Sequence, residues 1–379
     1  MNVLFITDYD ISPLDGGIER ITHNLAIKFR QKNVHSFLAF VSEINSPSSE
    51  EFAGKIQLIG NDWERNLQNL IKTNDIHCII TKTMKKENLK QIVPCVYSIA
   101  KELNCKMFFC YHNMPGYEMY GNRFIIRFLR TLGLSFIIKK TIAKKLKYGL
   151  FSDKIILESK NYIPIYQKIV GSAANEKFDY VNNALSFETI AGADILETKT
   201  KEVLIVTRFD ESQKRVSLAL KIWKKIEQSK LFEDWTLRIV GGGGMDEKFI
   251  LNFAKKLQLK NVVFEGRQKP ESYYKKASIF MMTSAYEGFP MTLGEAQQNG
   301  CVPIAFDSFA SITDIINPNE NGILVKNNDI QEYVNSLKKL MQNNDERQRL
   351  AKNGLKDCER YTSEKIVEKW IKLLTNEVD

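Results

Sequence analysis

Short apolar runs alternate with segments of helical periodicity along the first half of the chain. The turn residues Asp15, Gly16 and Gly17 precede a segment, residues 19–32, whose apolar positions recur with the helical period. Near-continuous apolar runs are typical of parallel strands buried on both faces, and they occur at residues 3–6, 36–41, 78–81 and 106–111. This alternation predicts a doubly wound parallel α/β domain.

A second alternation of the same kind begins near residue 202. Strands are predicted at residues 202–207, 235–240, 262–265, 279–283 and 302–306, and helices at 216–228, 246–257, 271–276 and from 293 to 299. The polar stretch 182–201 between the two series is the expected hinge. We therefore predict two domains, residues 1–185 and 186–362, and the amphipathic segment 363–379 is a candidate to pack back on the first.

The most informative stretch is residues 284–296, which reads SAYEGFPMTLGEA between a predicted strand and a predicted helix. The turn Gly288-Phe289-Pro290 would present backbone N–H groups at a helix N-terminus, a site suited to a phosphate or diphosphate. Glu295 is placed to accept hydrogen bonds from a diol such as a ribose. The alternative is that Glu287 and Glu295 are capping or solvated side chains.

The spacing of Glu287 and Glu295, with seven residues between them, resembles the E-x7-E signature of retaining family-four glycosyltransferases of the GT-B fold, also called glycosyl transferases group 1. Other segments resemble this family's landmarks in order: the glycine loop 16–20, Arg208 and Lys214, the glycine turn 241–244, the segment 263–267 and the run 296–305. The resemblance is strong over residues 203–306 and loose before residue 180. It implies two Rossmann-like domains that face a central cleft.

The resemblance also implies the roles of individual residues. Arg208 and Lys214 would clamp the donor diphosphate and, with Glu287, carry catalysis. His112, at the end of the strand KMFFCYH, is the fourth catalytic candidate and would contact the donor sugar or the leaving group, although a structural role stays open. Arg215 departs from the family pattern, where glycine commonly follows the lysine, and would add charge beside the diphosphate. The expected donor-binding residues are Gly16, Gly17, Gly241, Phe264, Arg267, Gly288, Phe289, Pro290, Thr292, Leu293 and Glu295.

The positive charge is concentrated in one window. The chain of 379 residues has a formal net charge of +9, and residues 101–150 hold ten basic and two acidic side chains. Two trios at helical spacing stand among apolar blocks: Arg123, Arg127 and Arg130, and Lys140, Lys144 and Lys147. A basic amphipathic stretch of this kind indicates an anionic membrane surface, with a solvated helix face as the alternative. Nucleic acid is not favoured, because no aromatic stacking pattern accompanies the charge.

Other features bear on location and cofactors. The acidic N-terminal sequence is a poor signal peptide, no apolar run reaches the length of a membrane span, and the six cysteines form no CxxC pattern. We therefore expect a cytoplasmic protein, peripheral at the inner face of the membrane. No metal or other cofactor is expected, because Arg208 and Lys214 would neutralise the leaving group. Asp8 and Asp10 form a DxD string, which we interpret as strand-end polar residues rather than a metal site.

The leading hypothesis is a retaining, metal-independent glycosyltransferase. It would move a sugar from a nucleotide-diphosphate donor, most commonly a UDP-sugar in this family, to a saccharide or lipid-linked acceptor in cell-surface polysaccharide or lipopolysaccharide synthesis. A sugar-nucleotide epimerase or a phosphorylase of the same fold is a second hypothesis. A non-enzymatic protein that binds anionic surfaces is a third, but it leaves Glu287, Glu295, Arg208 and Lys214 unexplained.

Overall fold

The structure is a computed structural model that describes residues 1–12, 17–44, 46–117, 131–171 and 175–375. The chain divides into two compact units. Among the described residues, the first unit comprises 1–117, 131–184 and 363–375, and the second comprises 185–362. The boundary expected from the sequence lies between residues 185 and 186.

The first unit is built on a parallel sheet of seven strands. In chain order they are β1 (Asn2–Tyr9), β2 (His35–Ser42), β3 (Lys55–Gln57), β4 (Ile76–Lys82), β5 (Lys106–Tyr111), β6 (Lys154–Leu157) and β7 (Phe178–Tyr180). Their order across the sheet is β3-β2-β1-β4-β5-β6-β7, and every described pairing is parallel. The described helices of this part are α1 (Gly17–Gln31), α2 (Trp63–Thr73), α3 (Lys86–Glu102), α4 (Ser135–Leu146) and α5 (Ile163–Val170).

The second unit has a parallel sheet of six strands in the order β10-β9-β8-β11-β12-β13. The strands are β8 (Thr200–Thr207), β9 (Thr236–Gly241), β10 (Val262–Gly266), β11 (Ala277–Met282), β12 (Val302–Asp307) and β13 (Ile323–Lys326). Its helices are α6 (Glu211–Lys214), α7 (Val216–Glu227), α8 (Glu247–Lys256), α9 (Glu271–Lys276), α10 (Met291–Gln298), α11 (Ile312–Ile315), α12 (Ile330–Gln342) and α13 (Asn344–Asp357). Strand β13 extends the sheet beyond β12, the last strand that the sequence pattern predicts.

The last helix, α14 (Ser363–Thr375), belongs to the first unit although it follows the second in the chain. It packs against α1, and Lys28 Nζ lies 3.0 Å from Glu364 Oε1. The same helix buries Trp370 and Leu374, which explains its amphipathic pattern.

The hydrophobic core follows the parallel topology. Strand residues Val3–Ile6 are completely buried, as are Trp223 on α7 and the middle of β11. Such strands need apolar side chains on both faces because helices cover both sides of the sheet. No helix in the described ranges combines the length and apolarity that a membrane crossing requires.

Glycines hold the connection after β9 in a conformation that other residues rarely adopt. Gly241, Gly242, Gly243 and Gly244 all have positive φ angles, from +67° to +130°. A Cβ on Gly241 would collide with the carbonyl oxygen of Thr207, at the end of the neighbouring strand β8. The glycine turn therefore allows this connection to lie directly against the end of β8.

We predict that Gly241→Ala destabilises the protein more than Gly266→Ala. Gly266 also has a positive φ, +68°, but no atom of a neighbouring residue lies within 4 Å of the position that a Cβ would take there. Gly266→Ala should lower the free energy of unfolding by about 1–2 kcal/mol, because alanine is strained in a left-handed backbone. Gly241→Ala should lower it further, because the new Cβ also clashes with Thr207. Urea unfolding of both variants measures the difference, and equal losses would contradict the close approach to Thr207.

Candidate functional site

The two central strands of the second sheet, β8 and β11, mark the point where the strand order reverses. The chain goes from β8 outwards to β9 and β10, and it returns to the other side of β8 for β11, β12 and β13. In open parallel sheets, ligands bind outside the carboxyl ends of the strands at such a point. The segments that follow β8 and β11 contain Arg208, Lys214 and Glu287, and all three are predicted site residues.

Lys214 and Glu287 form an ion pair that joins these two segments. Lys214 Nζ lies 2.6 Å from Glu287 Oε1, and the side chains are 21% and 10% exposed. Gln213 reinforces the pair, because its Nε2 donates to Glu287 Oε2 at 3.0 Å and to the carbonyl of Tyr286 at 3.2 Å. The structure therefore brings together two of the four predicted catalytic residues. Gln213 was missed in the sequence, although it directly precedes Lys214.

Backbone contacts hold the same two segments together. The N–H of Ala285 donates to the carbonyl of Gln213 at 2.7 Å, and the hydroxyl of Thr283 donates to the carbonyl of Lys214 at 3.0 Å. Asp210 caps α6 by accepting from the N–H of Gln213. The positions of Lys214 and Glu287 are thus set by the backbone as well as by their mutual attraction.

Arg215 has a structural role that differs from the expected one. Its backbone is left-handed, with a φ of +49°, and it separates α6 from α7. Its guanidinium donates to the carbonyls of Thr283 at 2.6 Å and Ser284 at 2.8 Å, and it lies over the ring of Phe306. Burial lowers the pKa of this guanidinium. These contacts hold the guanidinium against the loop after β11, and its charge beside a diphosphate stays a prediction.

Arg208 is the most accessible cation of this group, with 60% of its side chain exposed. Its guanidinium lies 3.6 Å from Asp210 and 3.5 Å from the amide oxygen of Gln213. Both distances are long for strong hydrogen bonds, so the side chain retains donors for an additional acceptor.

The glycine turn lies beside Arg208. The N–H of Phe209 donates to the carbonyl of Gly243 at 3.0 Å, and the N–H of Gly242 donates to the carbonyl of Thr207 at 3.2 Å. The guanidinium of Arg267 lies where a Cβ on Gly243 would stand. Phe264 packs edge-to-face against Phe209, with 6.2 Å between ring centroids. Three of the predicted donor-binding residues, Gly241, Phe264 and Arg267, thus surround the segment that carries Arg208.

The turn Gly288-Phe289-Pro290 leads into α10, as the motif predicts. Pro290 is the residue before the helix, and the first helical residues are Met291, Thr292 and Leu293. The first turn of a helix has N–H groups without intrahelical partners, which suits an anion. Phe289 is buried against Tyr361, and Leu293 is buried completely. For these two residues the structure shows a packing role.

Glu295 is deeply placed on α10, with 4% of its surface exposed. Its Oε2 accepts a hydrogen bond of 2.8 Å from the hydroxyl of Tyr274, which is itself fully buried. This contact was not anticipated, and it gives Glu295 a structural partner in addition to the predicted ribose role.

The remaining predicted residues lie in the first unit. His112 follows β5 and is buried, and its Nδ1 lies 3.0 Å from Glu158 Oε1.

Gly17 opens α1, whereas Gly16 lies outside the described residues. Lys140 and Lys144 are exposed on α4, and Arg123, Arg127 and Arg130 lie outside the described residues.

The carboxylates of the DxD string have different protein partners. Asp8 accepts from the N–H of Lys85 at 2.5 Å and from the amide of Asn88 at 2.6 Å. Asp10 pairs with Lys55 at 3.1 Å. In the parts of the chain that the structure describes, no group of three or more His, Cys, Asp or Glu side chains is arranged to hold a metal ion.

Comparison with known proteins identifies the second unit. Residues 187–357 match the family model described as "Glycosyl transferases group 1". This segment of the second unit is therefore similar to group 1 glycosyltransferases. The family predicted from the E-x7-E motif is confirmed for residues 187–357.

Curated relatives match parts of this chain. An uncharacterized glycosyltransferase of Haemophilus influenzae is 33% identical over 42% of this chain and 45% of its own length. The amylovoran biosynthesis glycosyltransferase AmsD of Erwinia amylovora is 29% identical over 61% of this chain and 65% of its own length. The lipopolysaccharide 1,6-galactosyltransferase of Escherichia coli K12 is 33% identical over 38% of this chain and 40% of its own length. The chain thus spans less than two thirds of each of these relatives.

Solved structures match nearly the whole chain. The lipopolysaccharide outer core galactosyltransferase WaaB has a TM-score of 0.73 at 18% identity, with 100% of both chains covered. Anabaena Alr3699/HepE, solved with UDP, has a TM-score of 0.75 at 14% identity, covering 99% of this chain and 100% of the other. These similarities confirm the predicted GT-B fold class with its two Rossmann-like domains.

We predict that the Lys214–Glu287 pair contributes measurably to stability. Lys214→Met removes the 2.6 Å ion pair with the buried carboxylate of Glu287, and it should lower the free energy of unfolding by about 1–3 kcal/mol. Adding Glu287→Gln to Lys214→Met should recover part of this loss. Urea unfolding followed by tryptophan fluorescence measures both effects.

The matched control is Arg208→Met, since Arg208 is a cation of the same segment with an exposed side chain. This variant should change the free energy of unfolding by no more than about 0.5 kcal/mol. A loss as large as that of Lys214→Met would show that the pair has no special stabilising role.

Proposed function

We propose that this glycosyltransferase transfers a sugar from a nucleotide-diphosphate donor, a UDP-sugar, to a saccharide or lipid-linked acceptor, with retention of anomeric configuration. The observation that carries the proposal is the joining of Lys214 and Glu287 at the carboxyl edge of β8 and β11, beside the exposed guanidinium of Arg208. This arrangement supports a site for a charged group at the strand-order reversal.

The proposed chemistry breaks the bond between the sugar's anomeric carbon and the β-phosphate oxygen. The anomeric carbon forms a bond to the acceptor oxygen, and the departing β-phosphate oxygen takes the electron pair of the broken bond and the proton of the acceptor hydroxyl. Arg208 would bind the diphosphate through its planar donors, and Lys214 would act as a point charge. The N–H groups at the start of α10 would add to this stabilisation, so that the leaving group is neutralised without a metal. Glu287 holds Lys214 and would contact the sugar.

Two kinds of relative support this choice of donor and pathway. The HepE structures contain UDP or UDP-glucose, which favours UDP as the nucleotide. The named relatives act in amylovoran and lipopolysaccharide biosynthesis, and one from Campylobacter jejuni is named for an undecaprenol-linked acceptor. We therefore propose a role in cell-surface polysaccharide or lipopolysaccharide synthesis at the cytoplasmic face of the membrane.

Helix α4 supports the proposed membrane surface. Phe136 and Ile137 are exposed on this helix, as are Lys139, Lys140 and Lys144. Large apolar side chains next to several lysines are the combination that binds an anionic bilayer at headgroup depth. The epimerase and phosphorylase alternatives receive no support from a specific contact.

The test of the donor site uses calorimetric binding of UDP and UDP-sugars in a buffer that contains a metal chelator. Arg208→Ala should weaken binding by about 1–3 kcal/mol, because it removes charged hydrogen bonds to phosphate, and it should leave stability unchanged. Glu295→Gln should also weaken binding, since an amide accepts fewer hydrogen bonds from a diol than a carboxylate does.

Tyr274→Phe is the control for Glu295. It removes the hydroxyl that contacts Glu295 and leaves the carboxylate in place. If Tyr274→Phe weakens nucleotide binding as much as Glu295→Gln does, the role of Glu295 is structural. Binding that requires added magnesium or manganese would argue against the metal-independent mechanism.

A second prediction concerns the membrane surface. Replacing Lys139, Lys140 and Lys144 with Glu should lower the affinity for anionic liposomes more than a hundredfold, since each lysine contributes about 1 kcal/mol at such a surface. Co-sedimentation with the liposomes measures this affinity. The control replaces the exposed Lys339, Lys352 and Lys356 of the second unit, which gives the same change in net charge. Equal losses in both triple variants would show a general charge effect and no specific surface on α4.

A further inference from the structure

The first unit contains a buried polar cluster at the carboxyl edge of its sheet. It consists of Lys82 at the end of β4, His112 after β5, Glu158 after β6, and Asn183. All four are less than a tenth exposed. They line a cavity of about 20 Å³, room for one or two water molecules, whose apolar wall includes Trp370 of α14.

The hydrogen bonds of Glu158 determine the state of the imidazole. Glu158 Oε1 accepts from Asn183 Nδ2 at 2.8 Å, and it lies 3.0 Å from His112 Nδ1. A carboxylate can only accept, so Nδ1 of His112 carries the proton and donates it to Glu158. In a neutral ring, Nε2 then has the lone pair.

His112 Nε2 is a buried acceptor with an unused lone pair. Among the described residues it has no hydrogen-bond partner, and its ring lines the cavity. A buried polar atom without a partner is costly, so a site that keeps one is suited to a ligand or a water molecule that supplies the donor. A hydroxyl group is one donor that can satisfy this lone pair.

We propose that Glu158 is a positioning residue that holds His112 with its proton on Nδ1 and its lone pair on Nε2, so that the ring accepts a hydrogen bond from a hydroxyl of the sugar substrate. The identity of the hydroxyl rests on the proposed function, whereas the positioning by Glu158 does not. The sequence leaves open whether His112 contacts the donor sugar or the leaving group. A neutral imidazole that accepts a hydrogen bond favours the sugar, because sugar hydroxyls can donate one.

The charges around the ring keep it neutral. The ammonium of Lys82 lies over the rings of Phe5 and Trp370, at 5.6 and 5.8 Å from their centroids. Burial and the Lys82 charge lower the pKa of His112, and these effects outweigh the opposing effect of Glu158. Cys110 also faces the cavity, and burial raises its pKa to about 11, so it stays a neutral thiol. Because the pKa of His112 is lowered, the ring keeps its acceptor at neutral pH and loses it on acidification.

The test measures the ¹⁵N chemical shifts of the His112 ring in the full-length protein labelled at histidine, with assignment by His112→Gln. The wild-type ring should show a protonated Nδ1 and an unprotonated Nε2 at pH 7.5. Glu158→Met, which removes the acceptor, should shift the proton to Nε2. Glu158→Gln keeps an amide oxygen as acceptor and should retain the wild-type tautomer. A wild-type ring with its proton on Nε2 overturns the proposal even if neither Glu158 variant folds.

Two further variants separate positioning from general structural effects. Lys82→Met removes the neighbouring charge and should raise the pKa of His112 without changing the tautomer. Asn182→Ala removes a 2.8 Å hydrogen bond to the backbone carbonyl of Glu158 and should leave the ring shifts unchanged. If Asn182→Ala changes the tautomer as Glu158→Met does, the effect is a general loosening and the positioning proposal is wrong.

Measurements of turnover then separate the positioning role of Glu158 from the proposed glycosyltransferase activity. We expect Glu158→Met to reduce kcat at least tenfold and Glu158→Gln to restore most of it. A changed tautomer with normal turnover would retain the positioning role of Glu158 and remove His112 from the transfer reaction. An unchanged tautomer in Glu158→Met overturns the positioning proposal whatever the activity.

Discussion

The ion pair between Lys214 and Glu287 joins the segments that follow the two central strands of the second sheet. These segments leave the same edge of the sheet at the point where the strand order reverses. The guanidinium of Arg215 reinforces the junction by donating to carbonyls of the loop after β11. The start of α10, the glycine turn and the exposed Arg208 all depend on the positions of these two segments.

The two units place different polar groups at the corresponding edges of their sheets. The second unit has an exposed arginine and a partly exposed lysine, which are suited to a charged ligand that arrives from water. The first unit has Lys82, His112 and Glu158 buried around a small cavity. Because burial and a neighbouring cation disfavour a charged imidazole, this edge is suited to a neutral hydroxyl. The two sheets share one kind of topology and differ in the burial of the polar side chains at this edge.

The sequence pattern predicted most elements of both sheets. Long, near-continuous apolar runs identify central strands well, and β5 and α9 have the predicted bounds. Strands β3 and β7 contain three residues each, too few to show a period. The last strand, β13, contains four residues, three of them apolar, and a run this short does not by itself indicate a strand.

The sequence by itself determined the two α/β series, the family resemblance and the residues of the E-x7-E motif, because strand periodicity and motif spacing are local properties of the chain. It did not determine which charges pair. Glu158 is 46 residues from His112, and Tyr274 is 21 residues from Glu295, so no local pattern links them. The direction of the Arg215 side chain and the burial of Lys82 were likewise decided by tertiary structure, because they depend on which loops and rings the parallel sheets bring to the same edge.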